Sequence, residues 1–513
     1  MSADDPVPPS GAEPAPGAPP APASATDRAP AAPAPSAADK RVVLVAAIMG
    51  SFVALLDSSV VNVALPAISE DLGGGLQGQQ WVVNAYLLFL GSLILVGGSL
   101  GDLYGERRIF ALGVGGFGAA SVLCAAAPSI ELLVAGRALQ GVFGALLTPA
   151  SLAVIVAVFP PDERGRAIGT WTAYTGIASL IGPLVGGQLV DALDWRWVFG
   201  INVPFVLLTL ALALRMPPSH GMPAGRHVDG VGAALCAVGL AGLAIGLIRQ
   251  PEAGWGDPTV ALPLAGGVVV FGSFLAWERR APDPMLPLGL FRRGNFAWGN
   301  VETLLMYGGL GVQFFLLVLF LQQVGGYDAL EAGLATVPAT VVMFVLARRF
   351  GALADRYGPR AFMGFGPLIS AAGTLMLLLM MDEQPAFLTE VLPGMLVFSL
   401  GLSITVAPLT AAILADADEH NAGIASGVNN AVARVASLLA TASIGAIIGG
   451  TLDLDGFRIG LGFAAALLAL GGVVGLLGIR NAPRRCEDYA TAAVARFAGG
   501  GEASANSGGA MSR

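Results

Sequence analysis

Long apolar stretches separated by short polar breaks run from Val42 to Ile479. Fourteen of them are long enough to cross a hydrocarbon core about 30 Å thick as helices of about 20 residues. Their approximate limits are 42–66, 80–99, 109–127, 131–155, 167–190, 197–215, 230–248, 259–277, 297–321, 333–348, 361–381, 390–413, 423–449 and 459–479. The breaks carry Gly, Pro and charge, as turns do. Residues 1–39 are rich in Pro, Ala and Ser, lack aliphatic bulk, and read as a disordered tail; residues 481–513 read likewise. The first apolar run is of spanning length and has no convincing cleavage site, so no signal peptide is expected. The pattern predicts an all-α, polytopic membrane protein.

Composition agrees. Hydrophobic residues make up 55% of the chain and charged residues only 12%, about half the share in an ordinary soluble domain. That excludes a soluble enzyme of this length, whose surface would need far more charge. A net charge of -8 without a clustered basic face excludes nucleic acid as a partner. Cys124, Cys236 and Cys486, with His220, His227 and His420, show neither disulfide nor metal-ligand spacing. No phosphate-binding Gly/Lys loop occurs, so neither ATP nor another cofactor is expected.

The basic residues orient the chain. With both termini cytoplasmic, 22 of the 27 Lys and Arg fall inside, while Arg196, Arg249 and Arg458 fall outside and Arg137 and Arg434 lie within spans. This asymmetry is the positive-inside pattern. An internal repeat divides the chain: Gly98-Ser-Leu-Gly-Asp-Leu-Tyr-Gly-Glu-Arg107 recurs as Gly351-Ala-Leu-Ala-Asp-Arg-Tyr-Gly-Pro-Arg360, with six of ten positions identical at an offset of 253. The copies follow the second and tenth windows, so two six-helix halves, 40–216 and 296–480, are separated by an inserted helix pair within 217–295.

Charges deep in the windows mark candidate chemistry, because an ionisable group in hydrocarbon is costly. With Glu131, Arg215, Arg348 and Glu390 set aside at window limits, four remain: Asp57, Arg137, Glu302 and Arg434. Asp57 lies about 22 Å from the inner end of its span and Arg137 about 9 Å from the outer end of its own, at 1.5 Å per residue. Both fall at one level, so they are expected to pair. Asp57 is then a candidate to take up and release a proton, with Arg137 tuning its hold; a fixed salt bridge between the first and fourth spans is the rival reading. Glu302, about 7 Å from the inner end of its span, either snorkels to the headgroups or forms a second proton or cation site, with Arg434 as a possible partner.

The loop Gly98 to Arg108 resembles the signature loop of the major facilitator superfamily, departing from it at Leu103 and Glu106. Leu56 to Pro66, Trp81 to Tyr86, Arg137 to Gly141, Gly176 through Gly187 and Trp195 to Pro204 resemble the fourteen-helix drug:proton antiporter branch. The resemblance spans about residues 42–480. It implies that Asp102 acts as a latch capping a helix of the opposite half near residue 423. Gly98, Gly105, Arg107 and Arg108, with Gly351, Asp355, Arg356 and Gly358 in the second copy, would complete the gating loops. Gly176, Gly182, Pro183, Gly186 and Gly187 resemble the antiporter motif associated with exporters. The implied activity is proton-coupled export of a hydrophobic, neutral or cationic small molecule, such as a drug or antibiotic, across a bacterial cytoplasmic membrane. A dedicated exporter of one metabolite and a non-transporting membrane sensor are the alternatives.

Overall fold

The computed structural model describes residues 36–217, 228–415 and 422–481. The sequence positions His220, His227, His420 and Cys486 lie outside them. The described residues form helices and no strands. Fourteen helices are long and apolar enough to cross a membrane: α1 Ala37–Leu72, α2 Gly75–Tyr104, α3 Glu106–Ala125, α4 Ile130–Val158, α5 Pro161–Ala192, α6 Trp197–Arg215, α7 Gly230–Ala253, α8 Pro258–Glu278, α9 Gly294–Gln323, α10 Ala329–Tyr357, α11 Pro359–Met380, α12 Phe387–Ala415, α13 Gly423–Ile448 and α14 Leu454–Gly478. Each apolar window became one helix. The even number places the start of α1 and the end of α14 on one side, called here the terminal side; the other is the far side.

Helix ends follow local chemistry. Ser36 and Asp39 form a capping box, in which the Asp39 N–H donates to Ser36 Oγ and the Ser36 N–H donates to Asp39 Oδ2. Helix α1 therefore begins at Ala37, inside the stretch whose composition reads as tail. Lys40 on α1 is ion-paired with Glu163 at the start of α5 at 2.8 Å.

The two halves repeat one packing scheme. In the first, α2 and α3 pack on α4, and α1 packs on α5 and α6; in the second, α10 and α11 pack on α12, and α9 packs on α13 and α14. The inserted α7 and α8 pack on each other, and α7 lies against both α2 and α13, one helix from each half. Gln77 on α2 reinforces this by donating to the Ile248 carbonyl of α7 at 3.2 Å.

Both signature loops turn through a glycine at positive φ, Gly105 at 92° and Gly358 at 89°, where a side chain would be strained. Each loop is then tied to the last helix of its own half. Arg107 donates from Nε to the Ala213 carbonyl at 3.0 Å and from Nη2 to the Leu214 carbonyl at 2.7 Å. Arg360 donates from Nε to the Leu476 carbonyl at 2.7 Å. A guanidinium thus caps last-turn carbonyls at the ends of α6 and α14. Of the adjacent glycines on α2, Gly97 makes the close helix approach: a Cβ on Gly97 would lie 2.0 Å from the Ala145 carbonyl oxygen, whereas one on Gly98 would meet only Pro149 at 3.9 Å.

Candidate functional site

Asp57 is fully buried and Arg137 2% exposed, and their side chains form an ion pair at 2.6 Å. Asp57 Oδ2 accepts from Arg137 Nη1, while Oδ1 accepts from Gln140 Nε2 at 3.0 Å and from Asn202 Nδ2 at 2.8 Å. Arg137 also donates to Gln140 Oε1 at 2.9 Å and to the Val82 carbonyl at 3.1 Å. Ser121 Oγ accepts from Gln140 and Asn202. The Arg137 guanidinium lies 4.5 Å from the Tyr86 ring centroid, in cation-π range. Helices α1, α2, α3, α4 and α6 all contribute.

The network answers the cost of burying charge. Removing one member of such a pair costs about 3–5 kcal/mol, because the other charge remains buried without its counter-ion. Here every polar atom of the carboxylate has a donor. Gln140 follows Arg137 by three positions and so shares its helix face. Gln140, Asn202, Ser121 and Tyr86 are functional candidates that reasoning from charge alone passes over, although all but Ser121 sit in the segments Arg137 to Gly141, Trp195 to Pro204 and Trp81 to Tyr86.

In the second half Glu302 and Arg434 do not pair. Glu302 is fully buried, so it does not snorkel, and neither carboxylate oxygen has a hydrogen-bond partner. It points at α14, where Oε2 lies 3.0 Å from the place a Cβ on Gly475 would take. Beside it on α9, Asn300 Oδ1 and Thr303 Oγ1 accept from Asn429 of α13 at 3.3 and 2.7 Å. Arg434 instead faces α2, its Cβ 3.1 Å from where a Cβ on Gly91 would stand. The separation arises because Glu302 and Arg434 lie on different faces of the packed α9–α13 pair.

The glycines of α5 divide by function. Gly182 lies against Ser59 of α1 and Gly186 against Val60, where added Cβ atoms would fall 1.9 Å and 3.0 Å from neighbouring atoms. Gly187 approaches Leu330 of α10, at 2.4 Å from an added Cβ, and Gly333 of α10 sits on the Pro183 carbonyl, at 2.5 Å. Small residues thus let α5 approach a helix of each half. Gly176 has nothing within 4 Å of an added Cβ and takes no part in this packing.

Next to this seam lies Asp191, which sequence reasoning missed. Its Oδ1 and Oδ2 accept from the Ala329 and Leu330 N–H groups at the start of α10, at 3.1 and 2.8 Å. An acid at the end of α5 therefore caps a helix of the other half on the far side. Gln322 on α9 adds a bond to the Val63 carbonyl of α1 at 3.0 Å, and Gln80 on α2 donates to the Thr441 carbonyl of α13 at 2.7 Å. Toward the terminal side, Phe344 and Val345 of α10 and Tyr174 of α5 are exposed. The α5–α10 seam is held together on the far side by the Asp191 contacts.

Asp102 is partly buried at the terminal-side end of α2, and residues 416–421, just ahead of α13, lie outside the described residues. Arg108, Asp355 and Arg356 are exposed, and Arg356 lies over the Tyr357 ring at 5.3 Å.

A bundle of fourteen spans in two repeated halves, with a buried acid and base between helices of one half, defines a polytopic membrane transporter. The sequence profile of the Major Facilitator Superfamily matches residues 47–441, and the chain belongs to that family. Among its relatives, a probable actinorhodin transporter of Streptomyces coelicolor is 39% identical over 408 residues, covering 78% of this chain and 70% of that protein. The puromycin resistance protein of Streptomyces alboniger is 33% identical, covering 88% and 93% of the two chains. A multidrug resistance protein of Mycobacterium tuberculosis is 33% identical, covering 80% and 76%. Among solved structures, a D-xylose-proton symporter aligns with a TM-score of 0.62 at 14% identity, covering 86% of this chain and 98% of the symporter. A peptide transporter aligns with a TM-score of 0.65 at 16% identity, covering 84% and 93%. At such identities these two likenesses speak for the fold alone.

Proposed function

We propose that the protein is a proton-coupled antiporter that exports hydrophobic small molecules of the drug or antibiotic class across a bacterial cytoplasmic membrane, with both termini in the cytoplasm. The observation that carries this reading is the buried Asp57–Arg137 pair, an ionisable site enclosed among the helices of the first half, where an intramembrane charge marks a functional position. Antibiotic export and resistance in the relatives' names supports the substrate class, and the distribution of basic residues supports the orientation.

In this reading Asp57 carries the proton and Arg137 takes the carboxylate's charge whenever the proton is gone. The Asp191 cap and the α5 glycines hold the far side shut while substrate enters from the cytoplasm, and the signature loops gate the terminal side. One proton entering down a 100 mV potential releases about 2.3 kcal/mol, which sustains a substrate gradient of roughly 50-fold. Glu302, a buried carboxyl without a donor, is a second place where a proton or cationic group would be held.

The test is substrate-dependent counterflow in proteoliposomes with an imposed pH gradient. Export should stop when the gradient is collapsed, and Asp57→Asn should abolish gradient-driven transport in a protein that still folds. Undiminished proton-driven export in Asp57→Asn would leave the pair a structural bridge. A dedicated exporter of one compound is a second reading, favoured by relatives named for single antibiotics, actinorhodin and tetracenomycin C. Resistance to several unrelated compounds in a sensitive host would decide against it.

A further inference from the structure

The inserted hairpin carries chemistry of its own. At its terminal-side base Asp229 caps the start of α7 and Glu278 ends α8. Asp229 Oδ1 accepts from the Gly232 N–H at 2.8 Å and from Trp277 Nε1 at 2.9 Å. Glu278, 3% exposed, accepts at Oε2 from the Leu286 N–H at 2.9 Å. Each acid is left with one buried oxygen, Asp229 Oδ2 and Glu278 Oε1, that no donor reaches. Those two oxygens converge, lying 2.4 and 2.6 Å from the point that a Cβ on Gly232 would occupy.

Two ionised carboxylates cannot face each other in a buried site without a counter-ion. No arginine is ion-paired with either acid among the described residues. The other titratable groups nearby are the Cys236 thiol on α7, within electrostatic reach of Glu278, and the exposed Arg279 and Arg280 that follow α8; Asp283 lies in the connector. A single proton placed between Asp229 Oδ2 and Glu278 Oε1 satisfies both orphaned atoms. We propose that Asp229 and Glu278 form a proton-sharing carboxyl pair, a proton-binding site separate from Asp57 that clamps the base of the inserted hairpin.

The site ties three segments together: the start of α7, the end of α8, and, through the Leu286 N–H, the connector that leads into the second half. Because α7 packs on α2 and α13, the clamp sets how the hairpin lies along the seam between the halves. Loss of the proton puts two like charges face to face. Stability contributed by the pair is present while the proton is bound and is lost as pH rises through its titration.

The experiment uses the full chain in lipid nanodiscs and reads the infrared carbonyl stretch of protonated carboxylic acids at neutral pH, together with melting temperature from neutral to alkaline pH. Glu278→Gln and Asp229→Asn should each remove the same carbonyl component, and Asp57→Asn should leave it. The wild type should lose melting temperature as pH rises, and Glu278→Gln, whose amide can donate where the proton sat, should lose markedly less. Gly232→Ala keeps both acids but puts a methyl between them, and should also remove the component. A component that survives in any of these three variants, or an alkaline loss in Glu278→Gln as steep as in the wild type, overturns the proposal.

Discussion

The polar centres of the two halves solve one packing problem with different chemistry. In the first half Asp57, Arg137, Gln140, Asn202 and Ser121 form a charged network. In the second half Thr374 Oγ1 donates to Gln313 Oε1, Gln313 Nε2 lies 3.8 Å from Met395 Sδ, and Ser370 Oγ donates to the Phe398 carbonyl at 3.0 Å. These polar side chains are as deeply buried as Asp57, but none ionises. Ser121 and Thr374 are related by the offset of 253 that relates the signature loops. A repeated fold therefore keeps a buried polar centre in each half and places the ion pair in one of them. The second half keeps a buried acid, Glu302, apart from its neutral centre.

Arg137→Ala should break the comparison most severely. It leaves Asp57 buried and unpaired, at a cost of about 3–5 kcal/mol, read as a large drop in melting temperature with loss of transport. Asp57→Asn leaves the Arg137 guanidinium buried without its counter-ion, so it should likewise cost about 3–5 kcal/mol, read as a drop in melting temperature, while abolishing gradient-driven export. Gln313→Ala in the second half should cost about 1–3 kcal/mol, the penalty of an unsatisfied neutral partner. Proton dependence should survive there, and its loss would show that the second centre is also part of coupling.

Asp191→Ala sharpens the picture at the far side. Loss of a charged helix cap is worth about 0.5–2 kcal/mol, which shifts the open population on that side by roughly 2- to 30-fold. Cysteine accessibility near Leu330 would read this, and an unchanged accessibility would remove Asp191 from gating. Smallest should be Gly176→Ala, which meets open space and gains about 0.5–1 kcal/mol of helix propensity; Gly187→Ala, facing Leu330, should instead reduce transport.

Much of this was legible beforehand. Apolar stretches of spanning length announced every helix, because lipid forces each backbone polar group to be satisfied within its own segment. The Asp57–Arg137 contact followed from depth alone, since a helix converts sequence distance into height at a constant rate. Height does not determine azimuth, which is why Glu302 and Arg434 were candidate partners and the packing turned them apart. Gln140 and Asn202 went unnoticed because neutral amides carry no cost signal until their carboxylate neighbour is in place. Asp191, Asp229 and Glu278 sit at helix ends, where charge is ordinary.

The sequence by itself determined the number of helices of spanning length and the repeat of the signature loop, the first a consequence of hydrophobic length and fixed helical rise. Only the tertiary structure decided which charges meet and which glycines carry contacts, Gly97 instead of Gly98 and Gly187 instead of Gly176. It also decided that an acid on α5 caps α10, and that two acids at the base of the hairpin face each other. Those outcomes depend on the rotation of each helix about its axis, and that rotation is set by all of its neighbours at once.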